Sequence, residues 1–331
     1  MTMNSIDAIN TSARSLIKKR LYSHFPQDSR PILAGYVVLI ALVLFYIIIN
    51  PSALSLRQLS TQVSFAMPLI FISTGQIMVM LTGELDLSVG GVVSLVTCLS
   101  ATLMTGSLGY GAIALIIAVA AVAGIVNGVL VAYLALPAFV VTLATWSILN
   151  GLALIVLNVP GGTLPQTYTS ALSSSFGGLS ISVYVLIALI LLWLWFRKTR
   201  LISKFRALGS NRTGAHEAGV DTKKMMVLAF VMCSVLSAIG ALYLTARLGG
   251  GDPTVGSSYV LNSVAAAVVG GTALTGGQGD GLSAVLGALI ITLLGSVVFS
   301  LGLPSYWQTV ASGALLLLAA GVTQLARRGA A

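Results

Sequence analysis

Phe139, Thr142, Trp146 and Asn150 recur at spacings of three, four and four residues. On an α-helix those spacings place them along one face. Two aromatic rings beside a hydroxyl and an amide suit a neutral, polyhydroxylated solute. The rings stack on its C–H faces and the polar groups bond its hydroxyls. Tyr306, Gln308 and Thr309 form a similar set 167 residues from Phe139 to Thr142. Ordinary polar packing between helices is the competing reading for each residue.

The chain has eight acidic residues. In LTGELDLSVG (81–90), Asp86 or Ser88 stands where the orphan amides at a helix start need an acceptor. Asp252 stands in the same place in a second version of the pattern. Asp86, Ser88 and Asp252 are therefore expected to be structural caps, ahead of solute or proton handling. Gly277-Gln278-Gly279-Asp280 fits the G-x-G-D string of intramembrane aspartyl proteases, which need a second carboxyl, here Asp86, across a shared proton. A glycine turn explains the same residues without catalysis. No G-x-x-x-x-G-K-[ST] string occurs, so a nucleotide has no phosphate cradle of the usual kind. Cys98 and Cys233 lie in apolar stretches and read as buried thiols, and no metal site or bound cofactor is expected. Gln76, Asn127 and Asn262 read as packing residues.

The elements that must position these groups follow from composition. Hydrophobic residues make up 57% of the 331 and charged residues 8%, against about 25% charged in a soluble domain. The lipid bilayer must therefore be most of the solvent. A helix needs about 20 apolar residues to cross it. Ten segments qualify: 32–50, 59–81, 88–105, 110–134, 138–158, 179–197, 225–247, 257–272, 281–301 and 305–325. The third and eighth are short. The fold class is all-α and polytopic.

With the N-terminus cytoplasmic, 15 of the 17 basic residues fall inside and only Arg57 and Arg247 outside. That accounts for the net charge of +9 without nucleic acid. Both termini are then cytoplasmic. Residues 1–31 form a cytoplasmic tail, either loose or an interfacial helix built on Ile6, Ile9, Ala13, Leu16 and Ile17. Tyr36 and Trp193 to Trp195 suit interface anchoring.

The chain also repeats. Asp86, Val89 and Gly90 match Asp252, Val255 and Gly256 at a shift of 166, and GVLVAYLALPAFVVTLA (128–144) matches GSVVFSLGLPSYWQTVA (295–311) at 167. With the topology above, repeat one (about 59–158) and repeat two (about 225–325) are inverted within a single permease domain, 32–326, the pattern of transport proteins. An ion-gradient-driven secondary transporter shares this logic but needs a buried ionisable relay. All eight acids instead map to tails, loops or span edges.

The inner loop 197–224 reads RKTRLISKFRALGSNRTGAHEAGVDTKK. Ser210 or Asn211 can cap a short helix there and Gly219 can end it, a natural docking element for a cytoplasmic partner. The outer loop 159–178 is polar and uncharged, either a contact for an external partner or a linker.

ALGSNRTGAHEAGV, LTGELDLSVG, VVGGTALTGGQGDGLSAVLGALI and NGVLVAYLALPAFVVTLATW together resemble the permease subunits of binding-protein-dependent sugar ABC importers, of the ribose, arabinose, xylose and autoinducer-2 type. The matches run in order over about 60–320. Glu84 stands where that family usually has glycine, and Gly214, His216 and Glu217 depart from its docking segment. The resemblance implies a cobalamin-importer-like fold in a bacterial inner membrane, with a second permease copy, identical or related. It implies a separate cytoplasmic ABC ATPase that holds ATP and Mg, and a periplasmic sugar-binding protein. It assigns ATPase coupling to Gly209, Asn211, Ala215, Glu217 and Gly219.

Overall fold

A computed structural model describes residues 30–328 of the chain. The tail positions from Ile6 to Ile17 and the basic residues Arg14 to Arg20 lie outside the described residues. Apolar runs punctuated by Gly and Pro become thirteen α-helices among the described residues. In order, α1 is Arg30–Ile49, α2 Leu56–Leu81, α3 Val89–Leu103, α4 Ala112–Ala132 and α5 Ala138–Val156. The outer loop then forms α6, Gln166–Ser173, and a hairpin of β1 (Ser175–Phe176) against β2 (Leu179–Ser180). Next come α7 (Ile181–Phe196), α8 (Arg200–Ser210) and α9 (Arg212–Glu217). The chain ends with α10 (Thr222–Leu248), α11 (Ser257–Val269), α12 (Gly281–Ser300) and α13 (Tyr306–Arg328).

Among the described residues, five helices are long and apolar enough to cross a membrane: α2, α4 with the 3-10 turn before it, α5, α10 and α12. The pair α7 and α8, bent by 72°, adds a sixth only when the two are counted as one broken span. The third and eighth of the ten expected segments are short, as the sequence indicates. Helix α3 has 15 residues and α11 has 13, so they rise about 22 and 20 Å, short of the roughly 30 Å of hydrocarbon. Glycine and an aspartate-anchored turn precede each, and no apolar run extends them.

Helix α2 is the central element, with every residue from Ala66 to Leu81 buried. It runs antiparallel to α10. The Thr82 hydroxyl meets the Met226 sulfur at 3.4 Å at one end, and Arg247 Nη1 donates to Ser64 O at 3.2 Å at the other. Because lipid tails are as apolar as the side chains, close packing rather than escape from water holds such helices together. Each helix of α2–α5 starts 166 to 169 residues before a counterpart in α10–α13. The packing is matched too. Helix α4 lies on α10 as α12 lies on α2, and α3 lies on α5 as α11 lies on α13. Gly90 and Gly256, equivalent in the two series, touch each other: a Cβ on Gly256 would stand 1.9 Å from Gly90 O. Self-contact between equivalent residues is what a two-fold axis produces.

Asp221 caps α10 by accepting from Lys224 N at 3.1 Å. That bond, then the Lys224 ammonium, hold its carboxyl below the usual carboxylate range. Trp193, expected at the interface, is buried, because its indole N–H bonds Asp280. Trp195 is exposed. Cys98 and Cys233 are buried free thiols.

Candidate functional site

Segments from three distant parts of the sequence meet where α2 ends. Gly277 donates its N–H to Leu81 O at 3.0 Å. Gly209, in the last turn of α8, lies on the same carbonyl. A Cβ there would be 2.0 Å from Leu81 O and 2.6 Å from Gly277 N, so only glycine fits. The motifs LTGELDLSVG, ALGSNRTGAHEAGV and VVGGTALTGGQGDG therefore touch at one junction.

Asp280 ties the junction to α7 and α8. Its Oδ1 accepts from Trp193 Nε1 at 2.6 Å and from Leu282 N at 3.0 Å, capping α12. Arg197 and Arg206 lie 3.6 and 3.8 Å from its Oδ2, and Arg206 Nη2 donates to Gly279 O at 2.9 Å. Asp280 faces these bases and shares no partner with Asp86, so the carboxyl pair of the protease reading is not formed.

Helix α9 is short, with defined ends. Asn211 Oδ1 accepts from Gly214 N at 3.0 Å at its start. At its end Val220 N reaches Ala215 O at 3.0 Å and Gly219 N reaches His216 O at 2.9 Å, with Gly219 at φ +81°. This is the Schellman closure that a left-handed glycine permits. Of the five residues assigned to coupling, Gly209 and Ala215 face the rest of the chain, and Asn211 and Gly219 shape α9. Glu217 is exposed, as are Arg212, Thr213 and His216. The departure at Glu84 has a partner here: Arg212 Nη2 bonds its Oε1 at 2.9 Å.

The expected caps are corrected. Asp86 Oδ1 accepts from Ser88 N at 2.8 Å and from Ser88 Oγ at 2.6 Å, closing a turn ahead of α3 and leaving the helix amides alone. Ser88, at the N-cap position, makes no side-chain cap bond. Its hydroxyl accepts instead from Asn127 Nδ2 at 2.8 Å, and Asn127 Oδ1 accepts from Thr145 Oγ1 at 2.6 Å. Asp252 repeats the same turn on Thr254 N and Oγ1, both at 2.8 Å. Its helix α11 starts at Gly256 without a side-chain cap. Asp86 lies in the connection between α2 and α3, as expected, and is 0% exposed there. Two groups of one residue, the amide and hydroxyl of Ser88, rather than an amide in the next turn, satisfy its Oδ1. This is the local side-chain-to-backbone bonding that Asp favours.

The residues expected to face solute separate into two places. Gln308 and Thr309 line a chamber of about 820 Å³ between α1, α2, α11, α12 and α13. Its wall also carries Tyr46, Gln62, Asn262, Thr292 and Ser296, and no charged side chain. Ser296 Oγ donates to Gln62 Oε1 at 2.8 Å, and Gln62 Nε2 donates to the Tyr46 hydroxyl at 3.1 Å. The chamber sits at the end of α2 away from the α8–α9 junction. None of the four α5 residues lines it. Phe139 is 60% exposed on the flank of the bundle. Thr142 is buried with its hydroxyl on Ala138 O at 2.8 Å. Trp146 lies against Gly90, its indole N–H without a hydrogen-bond partner, and Asn150 is half-buried. At about 100° per residue Thr142 is turned about 60° from the other three, enough to divide the set between the interior and the flank. Asn262, read from sequence as packing, is on the chamber wall.

Residues 58–320 match the family described as "branched-chain amino acid transport system / permease component". The chain belongs to this family. It is 33% identical over 304 residues to a probable ABC transporter permease protein, y4mJ, of Sinorhizobium fredii, covering 90% of each chain. It is 30% identical over 292 residues to the ribose import permease protein RbsC of Haemophilus influenzae, covering 86% of this chain and 90% of that one. It is also 30% identical over 312 residues to the galactose/methyl galactoside import permease protein MglC of Escherichia coli, covering 88% and 93%. No solved structure matches the chain. The permease is a multi-pass membrane component of an ABC importer, not an enzyme and not a gradient-driven carrier. ATP hydrolysis lies in a partner subunit.

Proposed function

We propose that this permease carries a sugar or sugar-like neutral solute across a bacterial inner membrane. It is driven by a cytoplasmic ABC ATPase and fed by a periplasmic binding protein. The observation that carries the driven mechanism is the glycine junction, where α8, the end of α2 and the α11–α12 turn share backbone contacts. ATP and Mg held by the partner would move α9, and a junction without side chains passes that motion on without slack. Gly209, Asn211, Ala215, Glu217 and Gly219 form and present the lever, with Glu217, Arg212 and His216 outward.

Two observations favour a sugar over an amino acid, despite the family's description. The chamber wall bears no charge, and an amino acid's carboxylate and ammonium would lie there unpaired at high cost. The relatives named above include importers of ribose and galactose.

The unit is one permease domain, 32–326, whose coupling loop 197–224 separates two inverted repeats, 59–158 and 225–325. The matched packing and the antiparallel α2 and α10 support this. The fold is of the cobalamin-importer type, with α3 and α11 as half-length elements and both termini cytoplasmic. A second copy, identical or related, packs beside the first, and the flank of α5 carrying Phe139, Trp146 and Asn150 faces the passage between them.

The decisive measurement is uptake of labelled D-ribose, D-galactose and D-xylose into vesicles, with and without the ATPase and binding protein. Uptake that needs both proteins and ATP supports the proposal. Uptake that follows an ion gradient without ATP would end it.

A further inference from the structure

Residues 84–88 are held at both ends. At one end Glu84 Oε1 accepts from Arg212 Nη2 at 2.9 Å, which ties the segment to α9. At the other, Asp86 Oδ1 accepts from the Ser88 amide and hydroxyl at 2.8 and 2.6 Å. From Ser88 the bonds continue. Asn127 Nδ2, on α4, donates to Ser88 Oγ at 2.8 Å, and Asn127 Oδ1 accepts from Thr145 Oγ1, on α5, at 2.6 Å. Gln76 of α2 closes the set. In the orientation that satisfies both its polar atoms, its side-chain nitrogen donates to Asp86 O at 3.0 Å and its oxygen accepts from Asp86 N at 3.2 Å. Gln76, Asp86, Ser88 and Asn127 are all 0% exposed. One run of side-chain bonds, interrupted only by the backbone of Leu85, therefore leads from α9 to α5.

The fold does not require this run. Repeat two keeps the aspartate turn, with Asp252 on Thr254. At shifts of 166 up to the turn and 167 beyond it, however, repeat two has Leu242 for Gln76, Gly250 for Glu84, Leu294 for Asn127 and Ser312 for Thr145. The Ser312 hydroxyl is buried without a hydrogen-bond partner among the described residues. Leucine at the equivalent backbone position avoids the cost of placing an amide inside a membrane bundle. What the amide adds in repeat one is geometry, since a fully bonded buried network fixes the groups it joins. Helices α3 and α5 are also in close contact there, and a Cβ on Gly91 would stand 2.9 Å from Trp146 O. Asn127 pins that pair of helices to the turn at Asp86.

We infer that Asn127 is a positioning residue of the transport cycle. Through Ser88 and Thr145 it makes α5 follow the turn at Asp86, and that turn follows α9 through Glu84 and Arg212. Helix α5 carries Phe139, Trp146 and Asn150, so motion of the lever arrives at the flank that faces the passage. The inference rests on the reading that this flank lines a passage between two copies. Repeat two, with leucine at 294, makes no such connection to α13 among the described residues.

The test uses the permease assembled with its ATPase and binding protein in vesicles. Uptake of D-ribose, D-galactose and D-xylose and hydrolysis of ATP are measured together for Asn127→Leu, Thr145→Val and Thr145→Ser. Asn127→Leu and Thr145→Val are each expected to lower the solute moved per ATP by at least about threefold, with binding-protein-stimulated hydrolysis and thermal stability kept. Thr145→Ser retains the hydroxyl and is expected to couple as wild type does. The double variant should be no worse than Asn127→Leu, because both changes remove one network. Thr145→Val keeps the shape of the side chain and decides the question if Asn127→Leu does not reach the membrane. Solute per ATP at the wild-type value in Thr145→Val, or uptake and hydrolysis falling together with stability, overturns the positioning role. A second readout does not depend on the solute. Cys98 and Cys233 are buried, so a cysteine placed at Phe139 reports on α5 through its rate of alkylation by a maleimide. ATP is expected to change that rate in the otherwise unaltered transporter and to leave it unchanged in Thr145→Val. A change that persists in Thr145→Val overturns the inference alone. No change in either overturns the inference together with the reading of α5 on which it rests.

Discussion

Asp86 is the residue whose environment is most demanding. Its carboxyl is fully buried, its Oδ1 holds both donors of Ser88, and its Oδ2 has no hydrogen-bond partner among the described nitrogen and oxygen atoms. Asn keeps the Oδ1 acceptor and removes the chance of a buried charge. Ala leaves the Ser88 N–H and hydroxyl unpaired, at about 1–3 kcal/mol for a buried group. Asp86→Asn is therefore expected to keep the thermal stability of the purified permease near wild type, and Asp86→Ala to lower it clearly. Equal losses in the two variants would show that the negative charge itself is needed. Gly209 sets a second limit at this scale. With 2.0 Å available to a Cβ beside Leu81 O, Gly209→Ala overpacks the junction, which typically costs about 1–3 kcal/mol. It should lower stability and coupled uptake together, and a stable, fully coupled Gly209→Ala would remove the junction's role.

At the scale of elements, α9 divides cleanly between residues that make it and residues that show. Asn211 and Gly219 were legible in sequence because a cap and a left-handed stop are local chemistry, decided within four residues of chain. Ala215 was legible as part of the segment but not as its buried side, since what covers it comes from elsewhere in the fold. This gives opposite expectations for two charge changes. Ala215→Glu forces a carboxylate into the packed underside of α9 and should destabilise the segment as well as abolish coupling. Glu217→Arg, on the exposed side, should leave thermal stability unchanged and weaken co-purification of the ATPase. If Glu217→Arg binds the ATPase as wild type does, the docking face lies elsewhere. Asn127 shows the converse limit. Its type told of polar packing, and only the fold shows it bonding Ser88 and Thr145 from two other helices.

For the whole molecule, topology and repeat stand together. The hairpin at Ser175–Ser180 and the α8–α9 segment lie at opposite ends of α7. A cysteine at Phe176 should react with an impermeant maleimide in intact cells, and one at Thr213 only after the membrane is opened. Labelling of both from outside would overturn the crossing of α7 and the cytoplasmic placement of the inner loop.

The amino-acid sequence alone determined that this chain lives in lipid and that it is built twice. Composition, basic-residue bias and self-similarity are properties of the string and need no fold to be read. It also determined the local punctuation at Asn211 and Gly219. Only the tertiary structure decided that Asp86 is fully buried and that Thr142 faces the interior while Phe139 lies on the flank. Only it decided that Asn262 and Gln308, 46 residues apart, share a wall. The physical reason is that burial and cavity are properties of neighbours. A helix's periodicity says which residues share a face, and packing partners decide whether that face meets lipid, protein or solute.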